Sequence, residues 1–357
     1  MNILVVGAGL AGCTCARLLA EQDHQVHVIE ATNHIGGICR DEIDTKHNCY
    51  FHNFGPHFFH TNDEWVWKFV NRFTKMRECK LQQKAYSYGT YYDFPLNLNS
   101  LEKFFDTSNL TEERAKRLME LKRVDTPPTN FEEAAINDMG EKLYKQFFWE
   151  YTRKQWQRQC TDLPISFYKR VPIRFNRDAN LFYDKYQGVP DKGYTDMFTN
   201  MLDHENIFLY TETPFETFEE ADSYDVIVYT GGFSSLPYRC TMFLDLEETH
   251  GEYPLVSLPD HLVFTRKTNF TLLHPLDPTK ECRSYRVCYE MPQPDNSGTP
   301  LLPIPTEENC IKYMQAANNF MEKHKHCLFI GRLATYSYLN MDETIKQCAE
   351  RLHVICK

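Results

Sequence analysis

The chain is 357 residues long and carries a formal net charge of −10, with 42% hydrophobic and 25% charged residues. This composition is ordinary for a globular protein, and at roughly 150 residues per domain the length predicts two or three domains. The acidic balance argues against a nucleic-acid-binding surface, and no apolar run approaches the ~18 residues that a membrane-spanning helix needs. The 13 cysteines are scattered and lack zinc-like spacing, so we expect reduced thiols and no metal site. The N-terminus does not resemble a secretory leader, which predicts a cytoplasmic protein.

The first 30 residues show the pattern of a strand, a glycine turn, a helix and a second strand. Apolar residues fill Ile3–Val6, recur at helical spacing after the turn, and fill Val26–Ile29. Glu30 follows directly at the tip of the second strand. This order is typical of an α/β domain with a parallel sheet.

Further along the chain, helical and strand-like patterns alternate. A helix is predicted from Glu64 to about Arg77, and the charged residues 100–150 are predicted to be helical, with a break at Pro127-Pro128. Later strands are expected at Asp225–Thr230, Leu262–Arg266, Tyr285–Tyr289 and Cys327–Gly331, and later helices at Lys312–Lys323 and Asp342–His353. The helical middle separates two α/β portions, which predicts a discontinuous nucleotide-binding domain.

The glycine turn has the spacing Gly7-x-Gly9-x-x-Gly12 and lies between a predicted strand and a predicted helix. The first glycine permits the tight turn, the second lets the backbone approach a pyrophosphate, and the third lets the helix pack on the strand. Glu30 stands 18 residues after Gly12, where its carboxylate can accept hydrogen bonds from an adenosine ribose. We therefore predict that the protein binds a dinucleotide, and NAD and FAD both fit these residues.

Two later glycine features favour FAD over NAD. Gly36-Gly37 follows the second predicted strand, and in this it resembles one large superfamily of FAD-binding proteins. Near the C-terminus, Gly331 would let the backbone approach the flavin phosphates, and Arg332 would neutralise their charge. A helix that begins near Met341 would point its positive end at the flavin ring, which is anionic when reduced.

Six stretches carry a more specific resemblance. They are Asn33-His-Ile-Gly-Gly37, Gly55-Pro-His57-Phe-Phe-His60-Thr-Asn-Asp63, Tyr151-Thr-Arg-Lys-Gln-Trp156, Lys169-Arg170-Val-Pro-Ile-Arg174-Phe175, Tyr186-Gln-Gly188 and Gly331-Arg-Leu-Ala-Thr-Tyr336-Ser-Tyr338. In order and spacing they resemble the motifs of UDP-galactopyranose mutases over essentially the whole chain. Six collinear motifs are far more specific than any one of them alone.

The resemblance implies a flavin-dependent isomerase that interconverts the pyranose and furanose forms of a nucleotide-diphosphate sugar without net redox change. In that family N5 of reduced FAD attacks the anomeric carbon and displaces the nucleotide diphosphate, so the cofactor supplies the nucleophile. An external reductant would keep the flavin reduced. The resemblance also allows a homodimer.

The fold implied by the resemblance is α/β, with a discontinuous FAD-binding Rossmann-like domain, an inserted helical domain and an antiparallel sheet domain. We expect residues 1–74, 188–236 and 309–357 to form the FAD-binding domain. Residues 75–160 would form the helical domain, and residues 161–187 with 237–308 the sheet domain that binds substrate.

The resemblance further assigns roles to individual residues. Arg170, which follows Trp156 by 14 residues, matches the family's essential arginine. With Arg266 it would bind the diphosphate, because guanidinium groups contact phosphates in a bidentate manner. His60 completes the expected catalytic set. The expected cofactor contacts are Gly7, Gly9, Leu10, Ala11, Gly12, Glu30, Gly36, Gly37, Ile38, His57, Phe58, Arg332, Leu339, Asn340, Met341 and Thr344. The expected substrate contacts are Tyr151, Thr152, Trp156, Arg170, Leu181, Tyr183, Arg266 and Tyr338.

Several substrate positions depart from the family. Leu181 stands where the family usually has a tyrosine for the diphosphate, and Leu301-Leu302-Pro303 replaces a Tyr-Tyr-Pro stretch. An asparagine expected near the uridine aligns at about Leu81. Leucine cannot contact a phosphate through a hydroxyl group, and Tyr183 is a neighbour that could replace the lost contact. We infer that the ring-contraction chemistry is kept while the nucleotide, the sugar or both differ from UDP-galactose.

Two other functions stay open at this point. A redox flavoenzyme related to the amine oxidases would share the glycine turns, and a non-catalytic protein on the same fold would have lost its flavin. Neither function gives a purpose to the Tyr151–Trp156 stretch or to Arg170, so the mutase is favoured.

Overall fold

The computed structural model describes residues 1–120, 127–170 and 173–353. The strands are β1 (Asn2–Val6), β2 (Gln25–Ile29), β3 (Asp41–Asp44), β4 (Cys49–His52), β5 (Phe59–Thr61), β6 (Met76–Glu78), β7 (Gln83–Ser87), β8 (Thr90–Phe94), β9 (Tyr186–Pro190), β10 (Ile207–Tyr210), β11 (Val226–Tyr229), β12 (Tyr238–Glu248), β13 (Leu255–Ser257), β14 (Arg266–Asn269), β15 (Tyr285–Gln293), β16 (Leu302–Pro303) and β17 (Cys327–Phe329). The helices are α1 (Leu10–Ala20), α2 (Glu64–Val70), α3 (Leu98–Phe105), α4 (Glu112–Glu120), α5 (Phe131–Met139), α6 (Glu141–Tyr144), α7 (Glu150–Trp156), α8 (Tyr194–Leu202), α9 (Phe270–Leu273), α10 (Glu307–Lys323) and α11 (Met341–Leu352).

A parallel sheet of order β10-β2-β1-β11-β17 forms the nucleotide-binding part of the molecule. Its strands come from three separate stretches of the chain, as expected for a discontinuous Rossmann-like domain. The central strand β1 is buried on both faces. Ile3 and Val5 pack in the same core as α1 and α11, whereas Leu4 and Val6 pack with Tyr229. A strand buried on both sides is typical of a parallel sheet covered by helices.

A second, mostly antiparallel sheet has the order β16-β12-β15-β14-β13-β7-β8. Its strands β7 and β8 lie within residues 75–160, which were expected to be helical, so that prediction is wrong for residues 76–94. The two strands form a hairpin whose turn residues, Tyr88 and Gly89, both have positive φ (47° and 81°). Such a turn is the usual connection of a two-residue hairpin. Strand β7 also pairs in parallel with β13, which ties this hairpin into the sheet.

The helical part of the chain begins at Leu98 and surrounds a core of its own. Among its buried side chains are Leu101, Phe131, Tyr144 and Phe147. A π-helical turn at Lys145–Trp149 joins α6 to α7. Across the described ranges, none of the helices combines the length and apolarity that crossing a membrane would require.

Two other element boundaries differ from the predictions. Helix α2 ends at Val70 rather than near Arg77, because the chain turns there into β6. The strand expected from Leu262 begins only at Arg266, and residues 258–264 form a loop.

Candidate active site

A cavity of about 340 Å³ opens where β1 meets the N-terminus of α1. Most of the residues predicted to contact the cofactor line it, namely Gly7, Gly9, Leu10, Ala11, Glu30, Gly36, Gly37, Ile38, His57, Arg332, Met341 and Thr344. The glycine turn, the Gly-Gly pair and the C-terminal segment therefore meet at one place, which we name the cofactor cavity.

The glycines of the first turn form a cradle that suits a pyrophosphate. Gly7 has a φ of +98°, and a Cβ on Gly9 would meet no atom closer than the Cα of Gly37, at 3.8 Å, so the backbone is open to the cavity there. Gly9 also caps α1 without a side-chain acceptor, and the first turn of α1 contains no acidic residue. The first N–H groups of the helix are thus available to an anion.

Gly12 contributes to packing and does not line the cofactor cavity. A Cβ at this position would lie 1.8 Å from the carbonyl oxygen of Gly7, so only glycine allows α1 to approach the turn so closely. The structure therefore places Gly12 behind the cavity and corrects its predicted role as a direct cofactor contact.

Glu30 is fixed at the tip of β2 by the neighbouring backbone. Its Oε2 accepts a hydrogen bond from the N–H of Ala8 at 3.0 Å. Its Oε1 accepts from the N–H and the hydroxyl of Thr32, both at 2.9 Å. The carboxylate borders the cavity in a defined orientation, with lone pairs left for a ribose hydroxyl.

The C-terminal segment closes the far side of the cofactor cavity. Arg332 donates from Nε to the carbonyl oxygen of Leu339 at 2.8 Å, so Leu339 positions this arginine and does not line the cavity. Asn340 caps α11, with Glu343 accepting from its backbone N–H at 2.7 Å. Met341, the first residue of α11, lines the cavity, which places the positive end of that helix there.

Arg40, which was not predicted from the sequence, also belongs to the cofactor cavity. Its side chain lines the cavity, with the guanidinium carbon 5.5 Å from the centre of the Phe54 ring. Its Nε is buried and has no hydrogen-bond partner within the described ranges. A buried, unpartnered N–H group in a cavity lined by glycines fits an anionic dinucleotide.

A second cavity, of about 390 Å³, adjoins the first, and we name it the substrate cavity. The residues that line both cavities are Ile38, Phe54, His57, Arg332 and Met341. Of the predicted substrate and catalytic residues, it is lined by Tyr151, Thr152, Trp156, Leu181, Arg266, Tyr338 and His60. Phe58 and Asn340, which were predicted to contact the cofactor, line this cavity instead.

Three arginines and one carboxylate line the substrate cavity: Arg239, Arg266 and Glu290, and Arg332, which also lines the cofactor cavity. Arg266 forms a bidentate ion pair with the buried Glu290, at 2.6 Å from Nε and 2.9 Å from Nη2. Burial lowers the pKa of Arg266, but the charge and the hydrogen bonds of Glu290, together with Tyr151 and Tyr338, more than offset this and the net shift is upward. Arg239, which the sequence analysis did not identify, lies in the same cavity and its Nε is buried without a partner in the part of the chain described. Burial lowers the pKa of Arg239, because the cavity solvates its charge poorly. A bound anion would stabilise that charge.

Aromatic residues form another wall of the substrate cavity. Trp156 packs edge-to-face against Phe167, with 4.5 Å between ring centres, and the guanidinium carbon of Arg239 lies 5.6 Å from the Trp156 ring. Burial raises the pKa of Tyr151, while the charge of Arg266 lowers it. These rings offer flat surfaces for a base or a sugar beside the two cations.

Tyr183 does not lie where it was predicted. It is 57% exposed, its ring lies 3.8 Å from the guanidinium carbon of Arg174, and its hydroxyl accepts from Asn176 at 2.9 Å. It is not part of the substrate cavity and does not replace the hydroxyl lost at Leu181. The cavity has an apolar lining at Leu81, Leu181, Leu301 and Leu302.

The two predicted histidines occupy different positions. His57 lies at the junction of the cavities, and its Nδ1 is 2.9 Å from the carbonyl oxygen of Gly55. Because that oxygen can only accept, Nδ1 carries the proton. Burial, with the nearby charge of Arg332, lowers the pKa of His57 to about 4, so the ring is neutral at pH 7. His60 stacks on Phe182, with 3.7 Å between ring centres, and its Nδ1 is 3.0 Å from Asp184.

Behind His57 lies a buried pair of histidines. The backbone N–H of His57 donates to Nδ1 of His52 at 3.0 Å. His52 Nε2 is 3.0 Å from His274 Nδ1, and His274 Nε2 is 2.8 Å from the carbonyl oxygen of Pro190. Since Pro190 can only accept, both rings carry their proton on Nε2 and are neutral. With Asp41 they have the spacing of a metal site, but the Asp41 carboxylate already accepts the backbone N–H groups that begin α8.

Arg170 is the one predicted catalytic residue whose side chain lies outside the described part of the structure. Its backbone ends the 3-10 helix Ile165–Arg170. Its role as a cation for the diphosphate stays a prediction.

Together these features define an α/β enzyme with a dinucleotide cradle beside a cationic, aromatic substrate cavity. A family model described as UDP-galactopyranose mutase matches residues 146–338, and one described as an NAD(P)-binding Rossmann-like domain matches residues 5–73. The chain belongs to the UDP-galactopyranose mutase family, as its motifs predicted. It is an isomerase of the mutase type, and the family together with the Rossmann-like domain indicates a flavin cofactor.

Individual relatives agree with this assignment over nearly the full chain. A dTDP-fucopyranose mutase from Escherichia coli is 36% identical over 98% of this chain and 97% of its own length. A probable UDP-galactopyranose mutase from Klebsiella pneumoniae is 34% identical over 97% of this chain and 92% of its own length. A crystal structure of reduced UDP-galactopyranose mutase shares the fold, with a TM-score of 0.71 at 16% identity over 99% of this chain and 95% of that one.

Proposed function

We propose that this mutase interconverts the pyranose and furanose forms of a nucleotide-diphosphate sugar, with reduced FAD as its cofactor. The observation that carries the proposal is the junction of the two cavities, which share His57, Arg332 and Met341. A flavin ring at this junction would face a sugar held between cations and aromatic rings. When bound, reduced flavin supplies the nucleophile for the anomeric carbon. An external reductant is needed only to prepare the cofactor, because isomerisation consumes no electrons.

The protein's own contribution is to bind and neutralise the leaving diphosphate. Arg239 supplies a charge whose buried Nε has no hydrogen-bond partner among the described residues. Arg266 supplies a second charge whose orientation is fixed by Glu290. Charge-assisted hydrogen bonds to phosphate are worth about 1.5–3 kcal/mol each. The diphosphate is held by these cations after the glycosidic bond breaks, so it stays available for return to the sugar. Arg170 is proposed as a third cation.

His57 is proposed to add no charge of its own to the junction, where Arg332 is already a cation. Its ring is neutral, with the proton on Nδ1, so its Nε2 can only accept a hydrogen bond. Its backbone is held in place by His52. A neutral acceptor here adds no positive charge that would compete with Arg239 and Arg266 for the diphosphate.

The lining of the substrate cavity favours a more apolar substrate than UDP-galactopyranose. Leu81, Leu181, Leu301 and Leu302 lie where the family's polar contacts to the nucleotide and the diphosphate were expected. We propose a substrate of the kind that the Escherichia coli relative's name gives, dTDP-fucopyranose. This substrate has a methyl group on the base and a methyl group in place of the sugar's hydroxymethyl. The additional methyl group of the base contributes about 0.8 kcal/mol when it is buried. The hydroxyl group that the sugar lacks would cost about 1–3 kcal/mol in an apolar cavity without a partner.

The substrate proposal is tested by comparing kcat/KM for dTDP-fucopyranose and UDP-galactopyranose on the reduced enzyme. We expect dTDP-fucopyranose to be favoured by at least about tenfold, from the buried methyl group of the base and the hydroxyl group that the sugar lacks. UDP-fucopyranose and dTDP-galactopyranose are matched controls that separate the base from the sugar. A preference for UDP-galactopyranose would overturn the proposal.

The cofactor proposal has a separate test. The cofactor released by denaturing the purified protein is identified by mass and absorbance, and we expect FAD in equimolar amount. Release of NAD would overturn the assignment of the cofactor.

A further inference from the structure

The ammonium group of Lys154 lies in a cage of backbone carbonyl groups. Its Nζ donates to the carbonyl oxygens of Leu258 at 2.8 Å and of Asp260, Leu262 and Phe264 at 2.7 Å each. These are alternate residues of one loop, which therefore curls around the charged group. The Lys154 side chain is only 10% exposed.

The cage requires a compact cation. A lysine ammonium has three N–H groups and four oxygens surround it, so at least one of its protons is shared between two oxygens. A neutral side chain would leave these carbonyl groups without a partner, and the planar guanidinium of arginine would not match four converging oxygens. Burial lowers the pKa of Lys154, and the charges of Asp260 and Glu150 offset part of this effect. The resulting pKa is about 8, so the charged form prevails at neutral pH.

Lys154 connects two elements that carry residues of the substrate cavity. Its own helix, α7, carries Tyr151 and Trp156 into that cavity. The caged loop joins β13 to β14 and leads directly to Arg266, the first residue of β14. The ammonium group of Lys154 thus connects the helix that carries Tyr151 and Trp156 to the loop that leads to Arg266.

Backbone hydrogen bonds extend this connection to Glu290. The N–H of Leu258 donates to the carbonyl oxygen of Thr265 at 2.9 Å and closes the loop. The N–H of Thr265 donates to the carbonyl oxygen of Glu290, also at 2.9 Å, and Glu290 binds the guanidinium of Arg266. The position of Arg266 therefore depends on the closed form of the loop.

We propose that Lys154 is a positioning residue for substrate binding: its ammonium group closes the loop of residues 258–264 and thereby fixes Arg266 opposite Tyr151 and Trp156. The proposal rests on the proposed function only in taking a nucleotide diphosphate as the ligand of this cavity. Lys154 itself does not line the cavity and acts through Arg266.

The test uses Lys154→Ala in the flavin-loaded protein, because this variant leaves a cage that a free monovalent cation can enter. We expect the Kd for dTDP and for UDP to rise by roughly 10- to 100-fold, the scale of a misplaced binding group. Ammonium chloride should restore the affinity of this variant. Tetramethylammonium chloride at equal ionic strength should not, because that cation is too large and has no N–H group.

Two variants serve as matched controls. Lys154→Met fills the same space without a charge, so it should lose affinity and ammonium should not restore it. Arg153→Ala changes the neighbouring residue of the same helix, which pairs with Glu150 outside the cavity, and should bind nucleotides as the wild type does. A folded Lys154→Ala protein with wild-type affinity would overturn the proposal. A loss of affinity that ammonium does not reverse would overturn it as well.

A ligand-free measurement separates this proposal from the proposed function. Hydrogen exchange at the amides of Leu258 and Thr265 should be faster in Lys154→Ala and should slow again with ammonium, without any nucleotide present. Unchanged exchange would refute the cage as the element that closes the loop. If the loop responds as expected but the wild-type enzyme forms no furanose, the proposed function fails and the role of Lys154 in holding the loop stands.

Discussion

The histidines in and directly behind the active site should make the protein sensitive to mild acid. The pKa of His57 is lowered to about 4 and that of His274 to about 3, mainly by burial, against about 6.5 in an unfolded chain. At pH values between these lowered pKa values and about 6.5, the unfolded state binds more protons than the folded state. The free energy of unfolding therefore falls as the pH falls. His52, whose pKa is also lowered by burial, acts in the same direction. Asp41, whose pKa is raised by burial, acts in the opposite direction.

The size of the effect follows from the two pKa differences. From about pH 7 to about pH 5 each of His57 and His274 removes about 2 kcal/mol from the free energy of unfolding, or about 4 kcal/mol together. This is a large part of the 5–15 kcal/mol that is typical of a folded domain. Most of the loss is expected below about pH 6.5, where the unfolded histidines begin to titrate.

Urea unfolding followed by tryptophan fluorescence over this pH range measures the effect. The variant His274→Gln keeps one acceptor for His52 and one donor for Pro190 but cannot titrate. Its unfolding free energy should depend on pH by about 2 kcal/mol less than that of the wild type over the same range. Equal pH dependence in the two proteins would refute the assignment of a buried, neutral His274.

Two substitutions test the cavities themselves. Arg239→Met should weaken the binding of dTDP or UDP by roughly 10- to 100-fold in calorimetry, because it removes a charged hydrogen-bonding group worth about 1.5–3 kcal/mol. Tyr183→Phe, outside the substrate cavity, should leave that Kd unchanged, and a similar loss in both variants would contradict the placement of these residues. Gly12→Ala would force a Cβ to within 1.8 Å of the Gly7 carbonyl oxygen, so the purified protein should be less stable and lack flavin absorbance. A Gly12→Ala protein with full flavin content would show that α1 does not need this close approach.

The cofactor cradle could be predicted from the sequence because its requirements are local. Gly7, Gly9 and Gly12 are demanded by the backbone of a single turn, and Glu30 follows at a fixed distance along the chain. The antiparallel hairpin of β7 and β8 was not predicted. Its turn residue Tyr88 has no strong turn preference, and the hairpin is followed directly by a charged stretch that is helical.

No local pattern places the cations of the substrate cavity: Arg266 was expected only from the family resemblance, and Arg239 was not predicted. Arg266 lies directly opposite Glu290 in the register of β14 and β15, and a sequence does not show which residues face each other across two strands. Arg239 lies near the start of β12, opposite Leu302 of β16, so it reaches the cavity through a pairing between distant segments. Tyr183 was misplaced for the same reason, because its stacking on Arg174 depends on the path of a loop.

The most direct test of the central claim is the redox dependence of isomerisation. The flavin-loaded protein, reduced with dithionite without oxygen, is incubated with dTDP-fucopyranose and with UDP-galactopyranose, and the products are separated by chromatography. We expect the furanose form of at least one sugar nucleotide from the reduced protein, none from the oxidised protein, and no net oxidation of the flavin. The absence of any furanose product with the reduced protein, or equal conversion by the oxidised protein, would contradict the account.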